Sequence, residues 1–377
     1  MARRLAAIAA FLLAFAAAAQ PVTPPPVAAR AFYLVDALSG QALAAAGEDD
    51  RFEPASLTKI VSAYVVFRAM AAGNLDGARV VPVSERAMKA AGAHMFISGA
   101  APVTVNELLR GMIVQSANDA TVALAEAVAG SEAAFVERMN AEAARLGMAG
   151  SRFTNATGEP APGHYSTARD IATASLALIR DFPREYALFA QREFTYNRMS
   201  QASRNRLLWT DPTVDGLAAG FTETAGYALA ASARRGERRL VGVVVGARSE
   251  GLRSAESQKL LNFGFQAYET RRVYRKGEVV ARPPIYKGTQ NVAPLGFDRD
   301  VWLTLPRDRF GGLTAVVETR QPFLAPLAAG QKAGIMKIMR DNAAVAEFPV
   351  VALEEVPVAG FLSRGWDTLK LLLRNDP

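Results

Sequence analysis

The stretch Ser56-Leu57-Thr58-Lys59, followed further along by Ser116-Ala117-Asn118, decides how this chain folds and which chemistry it can carry out. Side chains three residues apart on a helix lie on one face, so the hydroxyl of Ser56 and the amine of Lys59 are expected to be in contact. A serine hydroxyl needs a neighbouring base to become a nucleophile. A buried lysine can act as that base, because desolvation lowers its pKa. With a second serine and an amide to relay a proton and hold a substrate, the pattern predicts a serine–lysine enzyme.

The composition bounds the alternatives. A chain of 377 residues predicts two domains, and a hydrophobic content of 50% predicts well-packed cores. The absence of cysteine excludes disulfides and thiolate metal sites. The two histidines, His94 and His164, lack metal-ligand spacing, which argues against a zinc enzyme. Only His164 is a candidate for a serine–histidine triad.

The N-terminus has the features of a secretory signal peptide, assigned to residues 1–19. Arg3 and Arg4 precede an apolar run from Leu5 to Phe15, and small alanines follow before Gln20. The alternative is an uncleaved anchor, although the apolar run is short for a bilayer span. We therefore expect export. The formal net charge of +7 favours anionic partners such as membranes, wall polymers or nucleic acid, and export argues against nucleic acid. The charge is also compatible with a merely solubilising surface.

The pattern along the chain predicts an α+β fold. A strand-like run begins at Ala31, and a mainly helical block follows, in which a helix is expected to begin near Ser56. Strand-like runs return near 227–232 and 240–247, the second of them rich in valine. This order predicts one sheet assembled from both ends of a domain at 20–270. Prolines then punctuate short strand-like runs, such as Val301–Leu305, Leu313–Val317 and Val350–Val356, which predicts a small all-β domain at 271–359.

The last segment, 360–377, predicts an amphipathic helix. Leu362, Trp366, Leu369 and Leu373 form one stripe, and charged residues lie opposite. The helix is too short to cross a bilayer, and such a helix can lie in the membrane interface. The alternative is a helix that packs on its own domain.

Taken in order, the motifs resemble those of the low-molecular-mass penicillin-binding proteins that act as D-alanyl-D-alanine carboxypeptidases (peptidase S11). The resemblance covers nearly the whole chain after the N-terminal segment. The matching stretches are Glu53-Pro54-Ala55-Ser56-Leu57-Thr58-Lys59, Gln115-Ser116-Ala117-Asn118-Asp119-Ala120, Tyr165-Ser166-Thr167-Ala168-Arg169-Asp170, Asn205-Arg206-Leu207-Leu208-Trp209 and Val214-Asp215-Gly216-Leu217. The resemblance implies a penicillin-binding, serine β-lactamase-like transpeptidase domain, in which an antiparallel sheet packs with a helical block.

The resemblance also implies catalytic roles. Ser56 would be the acyl-enzyme nucleophile and Lys59 its base. Ser116 would pass the proton to the leaving D-alanine nitrogen, and Asn118 would hold the substrate amide and Lys59. The substrate would be the D-Ala-D-Ala end of peptidoglycan stem pentapeptides, and penicillins would acylate the same serine. Neither a metal nor an organic cofactor is implied.

Further positions are implied to contact the substrate. The backbone N–H groups of Ser56 and Phe221 would form an oxyanion hole. Arg253 would lie near the terminal carboxylate, and Arg204 aligns with an arginine near the cleft, where a structural role is equally compatible. Thr222 follows on the same predicted inner strand.

One motif departs from the family pattern. Where the family has Lys-Thr-Gly, this chain has Ala218-Ala219-Gly220. A hydrogen bond to a charged group contributes about 1.5–3 kcal/mol, so losing two predicts turnover lower by about a hundredfold or more.

Several interpretations are open at this stage. The chain is a carboxypeptidase of lowered activity, a weakened or non-catalytic peptidoglycan-binding pseudoenzyme, or a variant that was engineered to be inactive. An endopeptidase or transpeptidase differs only in the acceptor. A class A β-lactamase would need a glutamate with a nearby asparagine on its omega loop, and the neighbours of Glu159 do not fit that pattern. Oligomeric state is not readable from the sequence.

Overall fold

The structure is a computed structural model that describes residues 22–372, and the chain divides into two compact units. One unit is Pro24–Thr270, and the other contains the chain from Arg271 onward. The expected signal peptide at 1–19 lies outside the described residues.

The first unit contains ten strands and eight helices within its described residues. The strands are β1 (Ala31–Asp36), β2 (Ala42–Ala46), β3 (Val80–Val81), β4 (Val103–Thr104), β5 (Glu193–Tyr196), β6 (Met199–Ala202), β7 (Val214–Gly216), β8 (Ala219–Thr222), β9 (Gly226–Arg235) and β10 (Arg238–Ala247). The helices are α1 (Thr58–Ala71), α2 (Glu85–Met88), α3 (Val105–Val114), α4 (Asn118–Ala129), α5 (Glu132–Leu146), α6 (Ala168–Asp181), α7 (Leu207–Thr210) and α8 (Glu250–Ala267). Two 3-10 turns, Ala55–Leu57 and Glu185–Ala190, complete it.

The main sheet joins both ends of this unit, as the sequence predicts. Its order is β2-β1-β10-β9-β7, with β8 also paired to β9, and every pairing is antiparallel. The central strands β9 and β10 are buried over six consecutive residues each. Helices α6 and α8 contact β10. A strand that is covered on both faces can be continuously apolar, which accounts for the valine-rich sequence of β10.

The helical block begins and ends at local signals that are readable in the sequence. Thr104 and Glu107 form a complete capping box at the start of α3. Gly130 and Gly147 end α4 and α5 with φ of 80° each, in the left-handed region that glycine adopts without strain. The helix expected to begin at Ser56 instead begins at Thr58, after the 3-10 turn. These helices share one apolar core with the inner face of the sheet.

The second unit is rich in β-structure. Its strands are β11 (Tyr268–Tyr274, which spans the boundary), β12 (Val279–Ala281), β13 (Ile285–Tyr286), β14 (Leu295–Gly296), β15 (Val301–Pro306), β16 (Thr314–Thr319), β17 (Phe323–Leu324), β18 (Lys332–Arg340) and β19 (Ala343–Ala352). The largest sheet has the order β12-β14-β19-β18-β16, and its core includes Leu295, Met336 and Val350.

One strand differs from the sequence interpretation. A strand over 350–356 is expected, but β19 ends at Ala352 and begins much earlier, so that Pro349 lies inside it. Pro349 faces Ile335 of β18, while β14 pairs only with Val351 and Ala352. One edge of β19 is therefore unpaired at Pro349. An unpaired edge tolerates a residue that has no N–H donor.

The chain continues into helix α9 (Phe361–Leu372). The side chains of Phe361 and Trp366 are 87% and 62% exposed. No helix within residues 22–372 combines the length and the apolar character needed to span a bilayer.

Candidate active site

Ser56 lies in the middle of the 3-10 turn that leads into α1. The residue before it, Ala55, has a φ of 49°, which is uncommon for a residue with a Cβ. Backbone strain of this kind is found where the surrounding structure fixes a functional geometry. The loop at Gly158 packs directly on this turn, because a Cβ added at Gly158 would lie 1.8 Å from the Ala55 carbonyl oxygen. Packing therefore fixes the half-buried Ser56.

Lys59 contacts Ser56, one turn further along. Its Nζ lies 3.2 Å from Ser56 Oγ and donates to the Thr157 carbonyl at 2.7 Å. The residue is only 4% exposed. Burial lowers the pKa of Lys59 from 10.5 to about 7, although the negative charge of Glu159 opposes the shift. A lysine with this pKa can accept a proton from a neighbouring hydroxyl near neutral pH.

Ser116 joins α3 to α4 with a φ of 59°. Its Oγ is buried and has no hydrogen-bond partner within residues 22–372. A buried hydroxyl without a partner is costly and marks a position where a ligand or substrate could supply one.

Asn118 begins α4, and its amide nitrogen is fully engaged. Nδ2 donates to the Ala91 carbonyl at 2.6 Å and to Glu159 Oε1 at 2.8 Å. Its backbone N–H donates to the Ala93 carbonyl at 2.6 Å. Asn118 therefore ties the 91–93 loop to the loop that carries Glu159.

Strand β8 passes beside the Ser56 turn. A Cβ added at Gly220 would lie 2.9 Å from the Ala55 Cβ and 3.2 Å from the Ser56 nitrogen, so only glycine fits without displacement. Phe221 is 49% exposed, and its ring packs on Tyr227 with centroids 4.4 Å apart. Thr222 is buried, and its Oγ1 accepts from the Ala225 N–H at 3.0 Å, within the turn that follows β8.

A small cavity brings six of the sequence-predicted site residues together. It is lined by Ser56, Lys59, Ser116, Arg204, Ala218 and Ala219, along with neighbouring apolar residues and Ser203 and Asn205. Asn118, Gly220, Phe221, Thr222 and Arg253 are not part of this lining. Ala218 is half-buried, and Ala219 is 7% exposed.

Arg253, on the first turns of α8, contacts the backbone of two predicted site residues. Its Nη1 donates to the Gly220 carbonyl at 3.3 Å, and Nη2 donates to the Arg204 carbonyl at 3.2 Å. Nη2 also pairs with Glu250, while Nε is buried and lacks a partner among residues 22–372. Burial lowers the pKa of Arg253, and Glu250 opposes that shift. The guanidinium thus ties β8 to the segment that carries Arg204.

His164 does not contact Ser56. Its Nε2 lies 2.9 Å from Thr58 Oγ1, and its Nδ1 accepts from the Thr154 N–H at 3.1 Å. Burial lowers the pKa of His164 to about 4, against the opposing charge of Glu53. A neutral ring therefore joins α1 to the 154–158 loop, and the contacts give no support to a serine–histidine triad.

Two acidic residues at the site were not identified from the sequence as part of it. Asp119 is 1% exposed, and its carboxylate accepts from the N–H groups of Met95, Phe96 and Ile97. It therefore fixes the loop beside Asn118. Glu159 was considered only as a β-lactamase acid, yet it contacts Asn118 directly. The only sequence signal for Asp119 is its position directly after the serine–asparagine motif.

Comparison with known proteins assigns both parts of the chain. Residues 18–249 match the family described as D-alanyl-D-alanine carboxypeptidase, and residues 268–358 match the C-terminal domain of penicillin-binding protein 5.

Individual relatives agree with both family matches. The D-alanyl-D-alanine carboxypeptidase DacC of Escherichia coli (strain K12) is 39% identical, over 97% of this chain and 94% of its own length. Penicillin-binding protein 5 from Haemophilus influenzae has a TM-score of 0.86 at 37% identity, covering 89% of this chain and 99% of the other. Penicillin-binding protein D2 from Listeria monocytogenes, in its ampicillin-bound form, has a TM-score of 0.60 at 28% identity, covering 65% of this chain and all of the other. The chain belongs to the D-alanyl-D-alanine carboxypeptidase family of serine hydrolases.

Proposed function

We propose that this carboxypeptidase uses Ser56 as its nucleophile and Lys59 as the base that activates it. The observation that carries the assignment is the 3.2 Å contact between Lys59 Nζ and Ser56 Oγ, made by a buried lysine whose pKa is about 7. Roughly half of the molecules would carry a neutral Lys59 at neutral pH, as a general base requires.

The reaction follows from these positions. Ser56 Oγ attacks the carbonyl carbon of the penultimate D-alanine of a peptidoglycan stem peptide, and its proton moves to Lys59. The C–N bond then breaks, and a proton reaches the D-alanine nitrogen through Ser116, which lines the same cavity. Water attacks the resulting ester, which releases the shortened peptide and regenerates Ser56.

The backbone N–H groups of Ser56 and Phe221 are proposed to stabilise the oxyanion that forms during each attack. The proposal is supported by Gly220, because the missing Cβ lets β8 approach the Ser56 nitrogen. Arg253 supports the same strand through the Gly220 carbonyl, so we assign it a positioning role here in addition to the expected carboxylate contact.

We infer that turnover is lowered by Ala218 and Ala219. Both line the cavity with Ser116, and neither has a side-chain donor to offer to Ser116 or to a substrate carboxylate. The unpartnered Oγ of Ser116 is consistent with the loss of a lysine at 218. Arg204, exposed at the same cavity, is a cation that could attract the carboxylate in addition to Arg253.

Labelling with a fluorescent penicillin tests the nucleophile. We expect covalent labelling of the wild-type protein and none of Ser56→Ala. Labelling of Ser56→Ala, or of neither protein, would overturn the assignment. Release of D-alanine from a D-Ala-D-Ala peptide then separates a slow carboxypeptidase from a protein that only binds peptidoglycan.

The double variant A218K/A219T tests the effect of the two alanines. Restoring the two donors is expected to raise kcat/KM for the peptide by about a hundredfold or more, since each hydrogen bond to a charged group contributes about 1.5–3 kcal/mol. The single variants A218K and A219T should each give part of the gain. A rate unchanged in the double variant would contradict this account of β8.

We further propose that the protein is exported to the periplasm and that its tail lies on the outer face of the inner membrane. The positive charge of the chain and the exposed Phe361 and Trp366 of α9 support an interfacial position. β-Lactams are proposed as inhibitors because a solved relative is an ampicillin-bound form.

A further inference from the structure

Asn118 is a predicted catalytic residue, and both N–H donors of its side-chain amide are already occupied. A primary amide has two N–H donors. Here one points to the Ala91 carbonyl at 2.6 Å and the other to Glu159 Oε1 at 2.8 Å. A substrate carbonyl that needs this amide must therefore displace one of the two acceptors.

Glu159 is the acceptor that can leave. The Ala91 carbonyl belongs to the backbone of a loop that Asn118 and Asp119 hold through several further hydrogen bonds. Glu159, in contrast, is an exposed residue, and its carboxylate can exchange Asn118 for water. A Cβ added at Gly92 would lie 2.9 Å from Glu159 Oε1, so the position of this carboxylate also depends on the glycine opposite it.

Glu159 acts on Lys59 as well as on Asn118. The lysine is held by the Thr157 carbonyl, two residues before Glu159, and the negative charge of Glu159 favours its protonated form. Protonated Lys59 cannot accept the Ser56 proton. The same carboxylate thus opposes both substrate capture and activation of the nucleophile.

We propose that Glu159 is a positioning residue of the carboxypeptidase site, which occupies the Asn118 amide until substrate arrives and places a negative charge beside Lys59. This inference rests on the roles proposed for Lys59 and Asn118. It assigns a function to a residue outside the serine–lysine and serine–asparagine motifs.

Other charged groups lie near this pair. Arg86 of α2, Lys89 directly after α2 and Glu132 of α5 line the same surface depression as Glu159. Arg86 is already paired with Glu132, and Lys89 is paired with Glu85. Arg204 lines the same cavity as Lys59. The neutral ring of His164 contacts Thr58, the residue before Lys59, and the charge of Glu53 acts on His164. Glu159 is the anion whose charge opposes the effect of burial on the pKa of Lys59.

Two substitutions separate the two effects. Glu159→Gln removes the charge but keeps an oxygen that can accept from Asn118, whereas Glu159→Leu removes both. Glu237→Gln, which removes one exposed carboxylate in the turn between β9 and β10, is the matched control for net charge. The acylation rate is measured with a fluorescent penicillin from pH 5.5 to 9.5 at several penicillin concentrations.

We expect the rising limb of the pH profile to move to lower pH by roughly half a unit in both Glu159 variants, because the lysine loses its proton more readily. Only Glu159→Leu should also lower the half-saturating penicillin concentration, by about threefold to tenfold, since its Asn118 donor is free. Glu237→Gln should match the wild type in both respects. Profiles that superimpose for all four proteins would overturn the proposal, whatever their unfolding midpoints.

A second measurement does not need an active enzyme. In protein labelled with ¹³C-lysine, the Lys59 side-chain resonance is assigned from its absence in Lys59→Arg, and its titration is followed by NMR. Glu159→Gln should lower the titration midpoint by the same half unit, and an unmoved midpoint would overturn the proposal. If penicillin labelling fails but the midpoint moves, the proposed nucleophile is wrong while the action of Glu159 on Lys59 stands.

Discussion

At the scale of single residues, the burial that makes Lys59 a base near neutral pH also lowers the free energy of unfolding. The pKa of Lys59 is about 7 in the folded chain and 10.5 without burial, so between these pH values the unfolded chain binds more protons. Its contribution to the free energy of unfolding therefore rises with pH across that window. We expect Lys59→Met to be more stable than the wild type at pH 7, with the difference shrinking by about 3 kcal/mol by pH 9.5. Urea unfolding at a series of pH values measures this, and Lys89→Met, whose lysine is 76% exposed, is the control. A difference that does not change with pH would refute the argument.

The same scale shows where sequence reasoning ends. The contact between Ser56 and Lys59 follows from a spacing of three residues, so it is readable. The contact between Asn118 and Glu159 joins the first residue of α4 to a loop 41 residues further along, and no periodicity or cap marks it. His164 illustrates the same limit, because its partners Thr58 and Thr154 become neighbours only when α1 packs on the 154–158 loop.

At the scale of elements, the 154–158 loop holds the nucleophile turn in place. A Cβ at Gly158 would collide with the Ala55 carbonyl, whereas one at Gly163, in the same loop region, would meet nothing within 4 Å. Both glycines have positive φ, 90° and 77°. We expect Gly163→Ala to cost about 1 kcal/mol from backbone strain alone and Gly158→Ala about 3 kcal/mol. Gly158→Ala should also slow acylation, because the Thr157 carbonyl that holds Lys59 must shift. Urea unfolding and penicillin labelling measure the two effects, and equal losses in the two variants would contradict this role.

At the scale of the whole molecule, the assembly of the main sheet from both ends of the first unit was predictable, and the register was not. The strand-like run of β1 and the valine-rich β10 indicate such a sheet. The pairing of Tyr33 with Val243 is fixed by packing against α6 and α8, which a single sequence does not specify. The helical tail likewise follows from its pattern, but its partner does not.

That partner is proposed to be the membrane surface, and α9 allows a direct test at the same scale. Phe361 and Trp366 are 87% and 62% exposed, and burying two such side chains in the interface would contribute about 3–6 kcal/mol. We expect the double variant Phe361→Ser with Trp366→Ser to bind vesicles of phosphatidylethanolamine and phosphatidylglycerol at least about tenfold more weakly than the wild type. Deletion of 360–377 should weaken binding to the same extent. Val316→Ser on β16, which removes an exposed apolar side chain elsewhere in the unit, is the control and should bind as the wild type does. Cosedimentation with the vesicles measures each protein. Wild-type protein that stays in the supernatant, or a double variant that sediments equally well, would refute the proposed contact of Phe361 and Trp366 with the membrane.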